Sequence, residues 1–332
     1  MKKAAFLPLK GTTRYACRQA YDAVASRRAC FENLRFPSAM SDLNALIAQA
    51  EKLLSRLEAV LPQPLAEPDW QAAIAFRYRK RHSGWGGQAG VLEPVRHLAS
   101  IRLEDLHEID DQKTRMVRNV QQFVQGRSFN NVLLTGARGT GKSSLIKACL
   151  NAFATQGLRL IEVDKTDLVD LPDIVELIAQ RPEKFLIFCD DLSFDEGESG
   201  YKALKSMLDG SVAASSPNVL ICATSNRRHL LPEYMQDNLS HTRTPGGELH
   251  PGEAVEEKVS LSERFGIWIS FYPFSQDAYL AIVRQWLRSL HVPEEEIATA
   301  TPEALVWALE RGSRSGRVAW QFACDYAGRR EA

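Results

Sequence analysis

The sequence predicts an α/β domain built on a parallel sheet, with a helical region before it and a small helical unit after it. Three observations carry that prediction. Five short, almost wholly apolar runs suit strands covered on both faces. Amphipathic stretches separate them, as crossover helices would. A glycine-rich turn follows the first run and opens a helix.

With 332 residues, the chain has room for about two domains. Its 45% apolar and 25% charged residues are those of a globular protein. Lys plus Arg number 41 and Asp plus Glu number 41, so a polyanionic partner has to be met by a local patch. The six cysteines form no CxxC pair and the seven histidines no HxxxH pair. Free thiols in a reducing compartment are therefore expected, without a Cys/His metal cluster. Pro8, Lys10 and Arg14 interrupt the N-terminal apolar start before it reaches the length of a signal segment. No run of about 18 apolar residues follows, so the expectation is a cytoplasmic protein without a membrane partner.

Residues 1–76 read as a helical N-terminal region. Leu43, Leu46, Ile47, Ala50, Leu53, Leu54 and Leu57 recur at spacings of three and four. Ser41 or Asp42 is the expected cap, and Pro62 and Pro64 the stop. A second short helix is expected over 68–78. Residues 77–95 are basic and glycine-rich, from Arg77-Tyr78-Arg79-Lys80-Arg81-His82 into Gly84, Gly86 and Gly87, and read as a linker.

The α/β core is expected over 96–274. Its strands are placed at 131–135, 158–163, 184–189, 219–223 and 267–271. Helices are placed at 142–155, 172–180 and 201–209, the last closed by Gly210. Residues 275–332 read as a helical lid. Ser275 caps its first helix, Thr301-Pro302-Glu303 opens a second with proline in the first turn, and Ser315 caps a third that ends near Gly328.

Gly136-Ala137-Arg138-Gly139-Thr140-Gly141-Lys142-Ser143 fits GxxxxGK[ST] between a strand and a helix. Its glycines let the backbone turn amide groups inward around phosphate oxygens. The following helix adds the positive end of its dipole. Lys142 then reaches the β- and γ-phosphates of ATP, and the Ser143 hydroxyl ligates Mg²⁺. Ser144 completes the nucleotide set.

The strand at 184–189 ends in Asp190-Asp191. Asp190 suits the Mg²⁺ shell, and Asp191 suits orienting and deprotonating the attacking water. The plainer reading is a pair of acids opening a surface turn. In a sheet of order 5-1-4-3-2, the strand at 219–223 lies between the loop strand and the Asp strand. Asn226 at its tip then faces the γ-phosphate, unless it merely closes the strand in an Asx-turn.

This loop, the Asp-Asp strand and the Ser225-Asn226 strand tip, followed by Ser262-Glu263-Arg264-Phe265-Gly266 and Ser315-Gly316-Arg317, resemble the AAA+ ATPase superfamily of P-loop NTPases. The wider stretches around Gly136–Ser144, Phe188–Phe194, Ala223–Leu230 and His250–Lys258 are more specifically similar to the bacterial family called domain of unknown function 815. The resemblance implies that Arg264 reaches the ATP of a neighbouring subunit as an arginine finger, and hence a homo-oligomer. An ordinary surface ion pair is the alternative for that residue. It implies that Arg317, or failing it Arg314, contacts the γ-phosphate from the lid. It also implies that Leu103-Glu104-Asp105-Leu106 and Ile109 pack near the adenine.

Two departures from the superfamily stand out. Asp191 takes the place of the usual Glu, one methylene longer, which affects water geometry more than binding. Residues 164–172 lack an aromatic-hydrophobic-Gly run of the kind that lines threading pores. The polar stretch 236–260 is long for a connection within a domain. The basic run at 77–82 suits either a solvated linker or a nucleic-acid contact. Trp268, Trp286, Trp307 and Trp320 read as core residues. The expected activity is Mg²⁺-dependent ATP binding and hydrolysis coupled to remodelling or loading of a macromolecule. The alternatives are a nucleotide-gated module with little turnover and a small-molecule kinase.

Overall fold

The structure, a computed structural model, describes residues 39–58, 65–82, 88–194, 198–209, 216–226, 242–243, 249–250 and 261–330. The chain divides into two units, residues 1–61 and 62–332. The first contains helix α1, Ala39–Glu58. It begins before Ser41 and Asp42, so neither is its cap; the helical expectation for 16–38 and the stop at Pro62 and Pro64 lie outside the described residues. The stretch 236–260 is likewise described only at β7 (Thr242–Arg243) and β8 (Leu249–His250), an antiparallel pair.

The second unit is built on a seven-stranded mixed sheet. Its strands are β1 (Ala75–His82), β2 (Gln88–Pro94), β3 (Val132–Gly136), β4 (Leu158–Glu162), β5 (Lys184–Cys189), β6 (Val219–Ser225) and β9 (Ile267–Phe271). They lie in the order β2-β1-β4-β5-β6-β3-β9, parallel except for the antiparallel β1–β2 hairpin at one edge. The sheet as a whole does not have the expected all-parallel order 5-1-4-3-2: β9-β3-β6-β5-β4 follow it, and β1 and β2 extend the sheet beyond β4 with an antiparallel edge. Two strands precede the loop strand, where a short helix and a linker were expected.

The reason is a period of two that the basic composition obscured. Phe76 and Tyr78 point into the core and alternate with Arg77 and Arg79. The cations are held by the neighbouring structure. Arg77 pairs with Glu162 at 2.7 Å, Lys80 with Asp170 at 2.8 Å, and Arg81 with Glu93 at 2.6 Å. The Tyr78 hydroxyl donates to Asp170 at 2.9 Å, and burial with that carboxylate raises its pKa. These pairings engage three of the cations that a nucleic-acid contact would need.

Both faces of the sheet are covered, which explains the continuous apolar runs. Along β5, Phe185, Ile187 and Cys189 enter one core with Ile174 of α4 (Leu171–Ile178) and Leu204 of α5 (Ser199–Asp209). Leu186 and Phe188 enter the opposite core with Val120 of α2 (Asp110–Val124) and Ile146 of α3 (Lys142–Phe153). Because β6 lies between β3 and β5, the C-terminal tips of these strands converge.

A third core joins α6 (Gln276–Ser289), α7 (Glu294–Glu310) and α8 (Gly316–Arg330). The Ser275 hydroxyl accepts from Ala278 N–H at 3.1 Å, and that of Ser315 from Val318 N–H at 3.3 Å, so both caps are present. Thr301-Pro302-Glu303 is not a helix start; it lies inside α7. Three glutamates, 294–296, favour the first turn through the helix dipole. Ile297, Ala300, Ala304 and Ala308 then carry one buried stripe past Pro302. α8 continues two residues beyond Gly328. Among the described residues, no helix is long and apolar enough to cross a membrane.

Cys149, Cys189 and Cys222 are fully buried in the sheet–helix core. Burial pushes the first two thiols up to about 12 and the third well above its ordinary value. A thiolate is the reactive form, so iodoacetamide at pH 8 should leave all three unmodified in the folded protein while exposed Cys324 is alkylated. Peptide mass spectrometry reads both outcomes, and labelling of all four only after unfolding completes the test.

Candidate nucleotide site

The site begins where β3 runs out. Gly136 has φ +125°, and a Cβ there would lie 1.9 Å from the carbonyl oxygen of Phe271 on β9. Only glycine fits against that backbone. Ala137 N–H donates to the same oxygen at 3.2 Å, pinning the loop to the sheet as it leaves. Gly139, with φ +72°, approaches the lid: a Cβ there would meet the Ser315 side chain at 2.9 Å. The loop is thus bounded by β9 at its base and by the start of α8 at its crest.

Lys142 opens α3 and is only 6% exposed. Its ammonium donates to the carbonyls of Gly136 at 2.8 Å and Ala137 at 2.7 Å, and to Asn226 Oδ1 at 3.0 Å. All three protons have acceptors, as a buried ammonium requires. Burial lowers the pKa of Lys142; Asp190 and Asp191 oppose that shift, and Arg138 and Arg317 add to it.

Asp190 is fixed by three donors to one oxygen. Ser143 Oγ donates to Asp190 Oδ1 at 2.7 Å, Thr224 Oγ1 at 2.5 Å and Asp191 N–H at 3.2 Å. Asp191 N–H also donates to Thr224 Oγ1 at 2.9 Å. Thr224 therefore holds the Asp-Asp turn, a role that reading Asn226 alone at the β6 tip missed. Asp191 sits at φ +50°, in the left-handed region. Asp enters that region more readily than most side chains because its short carboxyl bonds locally. The Asp191 carboxylate accepts from the Asn226 amide and lies 3.9 Å from the Arg138 guanidinium.

These groups face one cavity of about 870 Å³, within the range of about 300–1,000 Å³ usual for small-molecule sites. Residues 138–144, Asp190, Asp191 and Asn226 form its polar wall, and Arg317 enters it from the lid. Gly136 and Ala137 contribute through their carbonyls to Lys142 rather than as lining. Leu106 and Ile109 line the cavity as expected for the segment before the loop, whereas Leu103 and Glu104 do not. Arg314 is absent from the lining, and so is Arg264, which pairs with Asp209 at the end of α5.

Trp320 departs from the expectation of core packing, whereas Trp286 packs on the lid core as expected and lines the cavity as well. Trp286 and Trp320 line the cavity edge to face, with ring centroids 4.7 Å apart, and Trp320 is 41% exposed. His107 also lines the cavity, although nothing in the sequence pattern drew attention to it.

Ser143 Oγ and Asp190 Oδ1 are hard oxygens 2.7 Å apart. That is close to the edge of an octahedron with metal–oxygen bonds of about 2.1 Å, roughly 2.9 Å. The pair fits Mg²⁺, which takes one or two protein oxygens and completes its shell with water and phosphate.

Over residues 71–330 the sequence matches the family described as Protein of unknown function (DUF815). The chain belongs to this family. No curated protein matches it. Among solved structures, this DUF815 protein is similar to a mutant of Thermotoga maritima RuvB, with 14% identity and a TM-score of 0.45. That match covers 67% of this chain and 63% of the RuvB chain. It is also similar to Aeropyrum pernix ORC1 in complex with DNA, at 14% identity and a TM-score of 0.43, covering 67% and 61%. A third similarity is to the E. coli HORMA:CdnC:Trip13 complex, at 13% identity and a TM-score of 0.43, covering 68% and 90%.

In the DUF815 chain, Gly136→Ala has to displace the Phe271 carbonyl and adopt a forbidden φ. It should destabilise the domain by at least about 2 kcal/mol, seen as a lowered Tm. An unchanged Tm would contradict the close approach of loop and β9.

Proposed function

We propose that this protein binds ATP with Mg²⁺ and hydrolyses it, as an AAA+ ATPase that remodels or loads a macromolecular partner. One observation carries the reading. Lys142 and Ser143 on the loop, Asp190, Asp191 and Asn226 at neighbouring strand tips, and Arg317 from the lid all face a single cavity. In this reading the amides of 138–144 hold the phosphate tail at the start of α3. Lys142 turns from its loop carbonyls to the β- and γ-phosphates. Ser143 and Asp190 hold Mg²⁺, which when bound neutralises charge between the β- and γ-phosphates.

Asp191 acts as the base that orients water and takes its proton, and Asn226 positions that carboxylate through the amide already bonded to it. Arg317 joins the loop to the lid, so loss of the γ-phosphate alters the angle between core and lid. Arg264 lies outside its own cavity and pairs with Asp209. We assign it to the site of a second copy, in a homo-oligomer, where its guanidinium would stabilise transition-state charge in trans. The protein works in the cytoplasm in this account, and its client is a protein or nucleic acid.

A second reading, a nucleotide-gated module with little turnover, draws on the occupied state of Asp191. Its carboxylate is engaged by Asn226 and approached by Arg138, which leaves less freedom to manage a water.

Turnover measured at high protein concentration separates the two. Hydrolysis predicts that Asp191→Asn lowers the rate by at least about a hundredfold, with ATP affinity retained within about threefold, because the base acts on the reaction more than on binding. Equal rates for the wild type and the variant would leave only the gated module.

A further inference from the structure

Most of the buried polar atoms in this cavity have partners; His107 Nε2 does not. The atom is buried and has no hydrogen-bond partner among the described residues, and the residue lines the cavity. Leaving a buried polar atom unpaired is costly unless something else pairs with it. The backbone beside it takes an uncommon conformation. Glu108 takes a left-handed φ of +62° between His107 and Ile109. Glu108 itself is exposed, while the residues on either side of it line the cavity. Strain at a non-glycine residue persists where the surroundings over-determine it.

The surroundings of His107 also decide which part of a nucleotide it meets. The charged tail is accounted for by the loop amides, Lys142 and Ser143. Beside His107 its own segment lines the cavity with Leu106 and Ile109, both buried, and with Asp105, whose carboxylate is engaged by the Arg102 N–H and guanidinium; the lid adds Trp286 and Trp320. An apolar, aromatic wall suits a flat heterocycle rather than a phosphate or a free sugar hydroxyl. A neutral imidazole carries one N–H donor and one bare acceptor nitrogen. A purine edge offers both amine or ring N–H donors and ring-nitrogen acceptors, so either tautomer finds a partner.

We infer that His107 is the specificity residue that hydrogen-bonds the edge of the nucleotide's base. The inference rests on the nucleotide reading above and adds the residue that distinguishes a nucleotide from a bare triphosphate. His107 touches the base and not the reacting atoms, so its loss acts on binding.

Calorimetric titration of the full chain with ATP and, separately, with inorganic tripolyphosphate, both with Mg²⁺, tests it. His107→Leu keeps the bulk and removes the polar atom. It should weaken ATP binding about tenfold, the scale of one buried hydrogen bond, and leave tripolyphosphate binding unchanged. His107→Gln, which keeps a donor and an acceptor, should recover most of the ATP affinity. In wild-type protein labelled with ¹⁵N-histidine, the Nε2 resonance of His107 should shift on adding ATP and stay in place on adding tripolyphosphate.

Parallel loss of both affinities in His107→Leu would make the residue merely structural and overturn the inference. So would unchanged ATP affinity in both variants with a silent Nε2 resonance. In either case the nucleotide reading survives, because the wild type binds ATP. Only a wild type that binds neither ligand would remove both together.

Discussion

A buried ammonium group imposes the strictest demand on this structure. Lys142 lies at the start of α3 with its three protons directed to Gly136, Ala137 and Asn226. Desolvating a charge in this way is costly unless every proton is met and opposite charge is near. The fold meets that demand with parts far apart in sequence. The two carbonyls come from the loop, the amide oxygen from the tip of β6, and the compensating carboxylates from the tip of β5. They converge because β6 is seated between β3 and β5. A register slip of one residue in β5 or β6 would turn Asp190 or Asn226 to the other face and leave the charge unpaired.

From that point the polar network spreads without a break. Asn226 joins Lys142 to Asp191, Thr224 joins Asp191 to Asp190, and Asp190 reaches Ser143 at the next position of α3. Groups linked in this manner respond together, because moving one leaves its neighbour unsatisfied. A ligand that draws Lys142 away from the loop carbonyls also changes what Asn226 does for Asp191. In the proposed function, recognition of the phosphate tail and preparation of the base would thereby be coupled through a single side-chain amide. The contact between Gly139 and Ser315 extends the same coupling to the lid.

Much of this was legible in the sequence, and what was missed has physical reasons. The place of Gly136–Ser143 between a strand and a helix could be read because its glycines, lysine and hydroxyl recur at a fixed spacing after an apolar run. Asp190 and Asn226 could be read because buried parallel strands are apolar throughout and end abruptly in polar residues. β1 and β2 were misread because Arg77, Lys80 and Arg81 look solvated, whereas their partners Glu162, Asp170 and Glu93 arrive from elsewhere in the domain. Ion pairing between distant segments leaves no local pattern. The start of α7 was placed at Thr301 instead of Glu294 because proline favours a first helical turn, and the buried alanine stripe that carries the helix past Pro302 emerges only with the lid packed. His107 lies in a loop that carries no motif, and Trp286 and Trp320 were read only as core for a related reason. Which side of a helix faces a cavity is decided by the neighbour that leaves the gap.

The central claim is that the loop amides and the Lys142 ammonium clasp the phosphates of a nucleotide. Residue-resolved hydrogen exchange, with and without Mg²⁺ and ATP, tests it most directly. The account predicts that protection on adding ligand concentrates at the amides of 139–144 and disappears in Lys142→Ala. Protection spread evenly over the domain, or none at those amides in the wild type, would contradict it.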